Sequence, residues 1–130
     1  MTEIDLKRLE RLEDDATAAF TKMVGEEHFL KMELSEAVGS RDLDSVEALE
    51  TKLKAVTQER IRLHGQYLEA KLNTAKGIKA NMFQMYGIKE PVLFEGILAP
   101  IFDKDIWEVE DAIDRYKRTY MEPGLREAHH

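Results

Sequence analysis

One apolar stripe limits what this chain can fold into. Val46, Leu49, Leu53, Val56, Leu63, Tyr67, Leu72, Ala75, Ile78, Met82 and Met85 recur every three or four residues, and no proline lies between Ser45 and Lys89. The pattern predicts one long amphipathic helix whose apolar side must be covered. Arg60 occupies a seam position, and near Tyr67, Leu68 and Leu72 the stripe shifts by one residue. Over Val46 to Met82 the mean period is about 3.6 residues, which predicts a nearly straight helix in a bundle instead of a supercoil. Gly65 and Gly77 fit as places of close approach or bending.

A second stripe precedes it. Leu9, Leu12, Ala16, Phe20, Met23, Leu30, Leu34 and Val38 keep helical spacing, with Glu27 as the one charged residue on the face. Thr2 followed by Asp5 reads as the start of this helix, and Gly39 as its left-handed end. Ser40, Asp42 and Asp44 offer caps for the next helix, Asp44 and Glu47 having capping-box spacing. So short a turn between long helices makes an antiparallel hairpin over 1–87, with helices at about 3–38 and 43–86. Gly87 before Ile88 reads as a Schellman ending. Residues 88–102 form an apolar linker holding Pro91, Gly96 and Pro100, with room for a short helix opening at Pro91. A third amphipathic helix follows at 103–121, striped by Ile106, Val109, Ile113, Tyr116 and Tyr120. It ends at Pro123 and Gly124, and 122–130 is a tail. His129 and His130 are given no role.

The expected fold class is therefore all-α, an elongated helical hairpin with a shorter third helix. The two long helices would measure roughly 55 and 65 Å, against a radius of gyration of ~14 Å for a compact domain of this size. The third, at roughly 25 Å, covers less than half of the hairpin and starts from its open end. Near the turn Leu30, Leu34, Val46, Leu49 and Leu53 cover only one another, and two helices alone rarely bury enough to be stable. Self-association through these five residues is the expectation, most simply a dimer forming a four-helix bundle.

Charge and composition exclude several function classes. With 19 basic and 26 acidic residues the net charge is −7, which disfavours wrapping nucleic acid or lying on an anionic membrane. The absence of cysteine excludes disulfides, thiolate metal sites and thiol catalysis. The charged opening residues do not read as a signal peptide, and no apolar run approaches the ~20 residues of a membrane span. A cytoplasmic location is the default expectation, with a virion-associated one as the variant.

Glu26, Glu27, His28, Glu59 and His64 invite comparison with carboxylate-bridged metal bundles, but the Glu-x-x-His pairs such sites need are missing. An exposed charged face is the reading preferred, with no catalytic residue, metal or cofactor assigned. Glu36, Asp42, Asp44, Glu47 and Glu50 make an acidic tip, which capping and compensation of helix dipoles explain. That tip resembles, in architecture only, the hairpin of transcript-cleavage factors that insert into RNA polymerase. Arg115, Lys117 and Arg118 interleave with Tyr116 and Tyr120 and form the alternative nucleic-acid contact. Yet acid at the start of that helix and base at its end is what the helix dipole favours. Leu93, Phe94, Leu98, Phe102 and Trp107 are read as core packing at the open end or as a partner-binding patch.

The segment Glu26 to Leu63, with its apolar repeat, Arg-Asp-Leu-Asp turn and Leu49, Lys52, Leu53 and Arg60 at helical spacing, resembles the hairpins of flagellar export chaperones. That resemblance implies a chaperone shielding an aggregation-prone helix of a secreted subunit. Viral assembly scaffolds and phage small terminases carry similar hairpins, sharing the physics of long paired helices. The first expectation is a non-enzymatic interaction protein, a scaffold, adaptor or chaperone, whose partners are itself and another protein. The second is a nucleic-acid- or polymerase-associated regulatory or packaging factor, and the third a metal-binding bundle enzyme.

Overall fold

The computed structural model describes residues 5–121, and its fold is all-α, with no strand among the described residues. Helix α1 (Leu6–Gly39) and helix α2 (Leu43–Met82) are the two arms of the hairpin. Their 34 and 40 residues make rods of about 50 and 60 Å. The arms are antiparallel: the Thr74 hydroxyl donates to the Leu9 carbonyl at 3.2 Å, and the Thr57 hydroxyl to Glu27 Oε2 at 2.7 Å. Beyond α2 come a π-helical turn, Phe83–Gly87, the single turn α3 (Pro91–Leu93), a second π-helical turn, Phe94–Leu98, and helix α4 (Ala99–Tyr120).

Helix α4 lies back along α2. Lys79 pairs with Asp103 near its start, and the Tyr116 hydroxyl donates to the Ile61 carbonyl at 2.6 Å near its end. It therefore covers about half of α2, and the hairpin from there to the turn is two helices thick. The core follows this overlap: Leu63 and Leu68 on α2, Phe94 in the second π turn and Val109 on α4 are buried, and Ala37 is the buried apolar residue nearest the hairpin turn. None of the described large side chains is fully enclosed.

Several boundaries differ from those expected. The first helix is capped by Asp5, which accepts from the Arg8 N–H at 3.0 Å; Thr2 lies outside the described residues, as do Pro123, Gly124, His129 and His130. At the hairpin turn the left-handed residue is Arg41, with φ 57°, and Gly39 remains helical. The Asp42 N–H reaches the Ala37 carbonyl at 3.1 Å and the Arg41 N–H the Val38 carbonyl at 3.2 Å, the two bonds of a Schellman ending placed two residues later than glycine suggests. Asp42 then caps α2, accepting from the Ser45 N–H at 3.3 Å and the Ser45 hydroxyl at 2.7 Å, while Asp44 sits in the first turn. One residue thus closes one helix with its backbone and opens the next with its side chain.

Gly87 makes no left-handed ending either, since no described glycine has positive φ. It ends a π turn, and it has no room for a side chain because Phe83 lies against it: a Cβ there would stand 2.3 Å from Phe83 Cδ2. The expected linker is helical for most of its length, and the third helix begins at Ala99 instead of Asp103. Pro91 and Pro100 both fall in first turns, where no intrahelical donor is required. Between them the Ala99 N–H bonds to the Phe94 carbonyl five residues back, the wider turn that carries the chain past Pro100.

Candidate functional site

The two charged residues that interrupt the apolar stripes meet each other. Glu27 is buried, and its Oε2 accepts from Arg60 Nε at 2.9 Å as well as from Thr57, while Lys31 Nζ stands 3.6 Å from Oε1. Burial alone would raise the Glu27 pKa, but the hydrogen bonds from Thr57 and Arg60 outweigh it and hold the carboxyl below its usual value. Arg60 is held in its charged form chiefly by Glu27, with the Tyr120 hydroxyl as a further partner. The exposed charged face expected around Glu27 is thus replaced by a buried ion pair joining α1 to α2. Such a pair adds little net stability, because both charges lose water on burial.

One turn further along α2 the same junction becomes aromatic. His64 stacks on Phe20 of α1, with centroids 4.8 Å apart, and meets Tyr116 of α4 edge-on at 5.4 Å. Its Nδ1 is buried without a hydrogen-bond partner, and burial, then the Arg60 charge, lowers its pKa from the ordinary value. Tyr116 reaches this position because Gly65 lacks a side chain: a Cβ there would lie 2.8 Å from the Tyr116 hydroxyl oxygen. Gly65 is the place of close approach that the sequence suggested.

This junction ties α1, α2 and α4 together. Among the described residues no group of three or more His, Asp or Glu side chains is placed to hold a metal ion. Glu59 is tied to Arg62 on its own helix, and His28 is exposed. Nor is any described helix long and apolar enough to cross a membrane.

Surface chemistry gathers elsewhere. The five residues expected to drive self-association, Leu30, Leu34, Val46, Leu49 and Leu53, are half-buried, whereas Val38 and Leu43 beside the turn are exposed. The set Leu93, Phe94, Leu98, Phe102 and Trp107 divides. Phe94 is buried edge-on against Phe83, with centroids 5.4 Å apart, and Leu98 and Phe102 are half-buried. Leu93 is at the margin, and Trp107 is 63% exposed on the outer side of α4, so core packing is the wrong expectation for it. Trp107 follows Ile106 directly, and the neighbouring position on a helix lies about 100° around from the stripe. Ile88, Val92, Ile97 and Ile101, apolar residues of the expected linker outside that set, are all exposed at the open end, with Val92 at 86%. Their signal was present as an apolar density too great for one short helix to bury.

The cationic cluster on α4 is partly engaged. Arg115 pairs with Asp111 at 3.2 Å, and Arg118 Nε donates to the Asp114 carbonyl at 3.4 Å, while Lys117 is exposed. These are contacts within one helix, the arrangement expected when base follows acid along it. Comparison of the chain with protein-family models, with curated proteins and with solved structures found no match in any of the three.

Proposed function

We propose that this chain is a non-enzymatic helical interaction protein of the scaffold, adaptor or chaperone kind, which works by self-association and by apolar helix surfaces that hold another protein. The observation that carries the reading is where the apolar side chains lie. Met85, Ile88, Val92, Ile97 and Ile101, all at the open end, are each more than half exposed, while the buried apolar residues among those described are Ala37, Leu63, Leu68, Phe94 and Val109. Scattered apolar residues are ordinary on any surface, but a cluster at one end of a thin molecule marks a contact surface.

The buried polar groups support the same reading. Glu27, Thr57 and Arg60 satisfy one another, and the hydroxyls of Thr74 and Tyr116 bond to backbone carbonyls. These groups tie the helices of a thin rod to one another and leave its exposed apolar side chains as the surface available to a partner.

Light scattering and sedimentation at micromolar concentration test the proposal. A folded species of at least twice 15.0 kDa is expected. A folded monomer that stays monomeric as concentration rises overturns it.

A further inference from the structure

The apolar end of the molecule is a cap with a definite geometry. Leu93, Ile97 and Ile101 follow one another at four-residue steps along α3, the second π turn and the start of α4, and Val92 and Ile88 extend the same end. All five are exposed, Leu93 least at 38%. Four-residue steps form the ridge that packs into the matching groove of a like helix at about −50°. Gly96, one turn after Val92 and next to Ile97, leaves open space: nothing lies within 4 Å of a Cβ built there.

From this cap we infer that the chain dimerises end to end, with the Leu93, Ile97 and Ile101 ridge of one copy packed against the same ridge of a second. The inference rests on the reading that the chain self-associates and says where. Two observations select a second copy as the occupant. The first is charge. From Lys79 to Lys104 the cations Lys79, Lys89 and Lys104 balance the anions Glu90, Glu95 and Asp103, whereas the whole chain carries −7. Two acidic molecules repel over most of their surface, and the neutral cap is where identical copies meet without that penalty. A strongly charged partner would find no net charge in that segment to match its own.

The second observation is area. Ile88, Val92, Leu93, Ile97 and Ile101, with Met85 at 51% exposure, each leave on the order of 100 Å² uncovered, together about 600 Å², three quarters of the roughly 800 Å² a side of a standard interface. The hairpin turn offers less, with Val38 and Leu43 exposed amid four acids, Glu36, Asp42, Asp44 and Glu47, against the single cation Arg41. Like charges facing across a twofold axis would oppose association there.

Gly96→Arg tests this without touching the monomer's packing, because the new side chain enters open space. Sedimentation of the wild type, Gly96→Arg, Ile101→Glu and the turn variant Leu43→Arg is compared, with circular dichroism confirming helicity. The expected result is a wild-type dimer, a dissociation constant raised at least tenfold in both cap variants, and no change in Leu43→Arg. In this cysteine-free chain Ile97→Cys adds a direct reading: near a twofold axis it faces its own copy, so mild oxidation yields a covalent dimer. A wild-type monomer overturns the inference together with the reading beneath it. A dimer that survives Gly96→Arg and Ile101→Glu, or one lost only in Leu43→Arg, overturns the inference and leaves self-association standing.

Discussion

Two glycines at similar places in long helices are predicted to answer an added methyl in opposite ways. Gly25 on α1 has open space where a Cβ would go, whereas Gly65 on α2 faces the Tyr116 hydroxyl 2.8 Å away. Alanine in a helix interior is worth about 1 kcal/mol over glycine. Gly25→Ala should gain that amount, while at Gly65 the overpacking cost of ~1–3 kcal/mol wins and pushes α4 off its seat. Urea unfolding of both variants at one protein concentration checks the pair, and equal effects would refute the close approach.

Titration of the junction gives a second residue-scale expectation. The unfolded chain takes up the His64 proton near pH 6.5, and the folded chain only at lower pH, so stability falls as pH drops from 6.5 through that lower value. Glu27 acts in the next window: its stabilisation is full above the ordinary 4.5 and is lost as pH falls through its lowered folded value. Thermal melts from pH 7.5 to 3 should show both declines. His64→Phe, which keeps a ring against Phe20, should remove the upper one alone. At this scale the stripes were read more reliably than their interruptions. Glu27 and Arg60 each stood out as a charge on an apolar face, but only their distance across the hairpin turns two defects into a pair. Helical spacing orders the residues around one helix and does not say which residue of another helix lies opposite.

Among the elements, the hairpin turn is where glycine misled. Gly39 stood where a helix ending is usual, and the chain instead runs on until Arg41 takes the left-handed position with φ 57°. Asp42 explains the displacement, because its N–H must reach Ala37 while its carboxylate caps α2. A non-glycine residue in the left-handed region costs ~1–2 kcal/mol, partly offset by the greater freedom glycine brings to the unfolded chain. Arg41→Gly should therefore stabilise the protein by about 0.5–1 kcal/mol, visible as a higher urea midpoint with unchanged slope. A loss of stability would mean that the arginine side chain makes a contact worth more than the backbone strain. The third helix was legible for a different reason, its stripe of Ile106, Val109, Ile113 and Tyr116 being regular. Its start was not, because two prolines and a glycine read as a linker when each sits in a turn that tolerates it. A π turn leaves little mark in a sequence, since it shifts the hydrogen-bonding register without needing a special residue.

On the scale of the whole molecule, length and thinness followed directly from counting. Two uninterrupted helices of this length cannot fold into a sphere, and the third covers α2 only from Lys79 to about Ile61. What counting did not place was the surplus of apolar surface, expected near the turn and found mainly at the other end. The turn residues Leu30, Leu34, Val46, Leu49 and Leu53 half-cover each other across the hairpin, whereas the second π turn and the start of α4 present Ile97 and Ile101 outward.

That none of the described large side chains is fully enclosed has a calorimetric consequence. The increase in heat capacity on melting measures newly wetted apolar surface, and an ordinary chain of 130 residues would give about 1.6–2.0 kcal/mol/K. Already wet over much of its apolar surface, a single copy of this protein should fall clearly below that range. Its stability would then vary weakly with temperature and its melt would be broad. A dimer drying its cap would recover part of the missing increment, so the heat capacity of unfolding should rise with protein concentration as the melt sharpens.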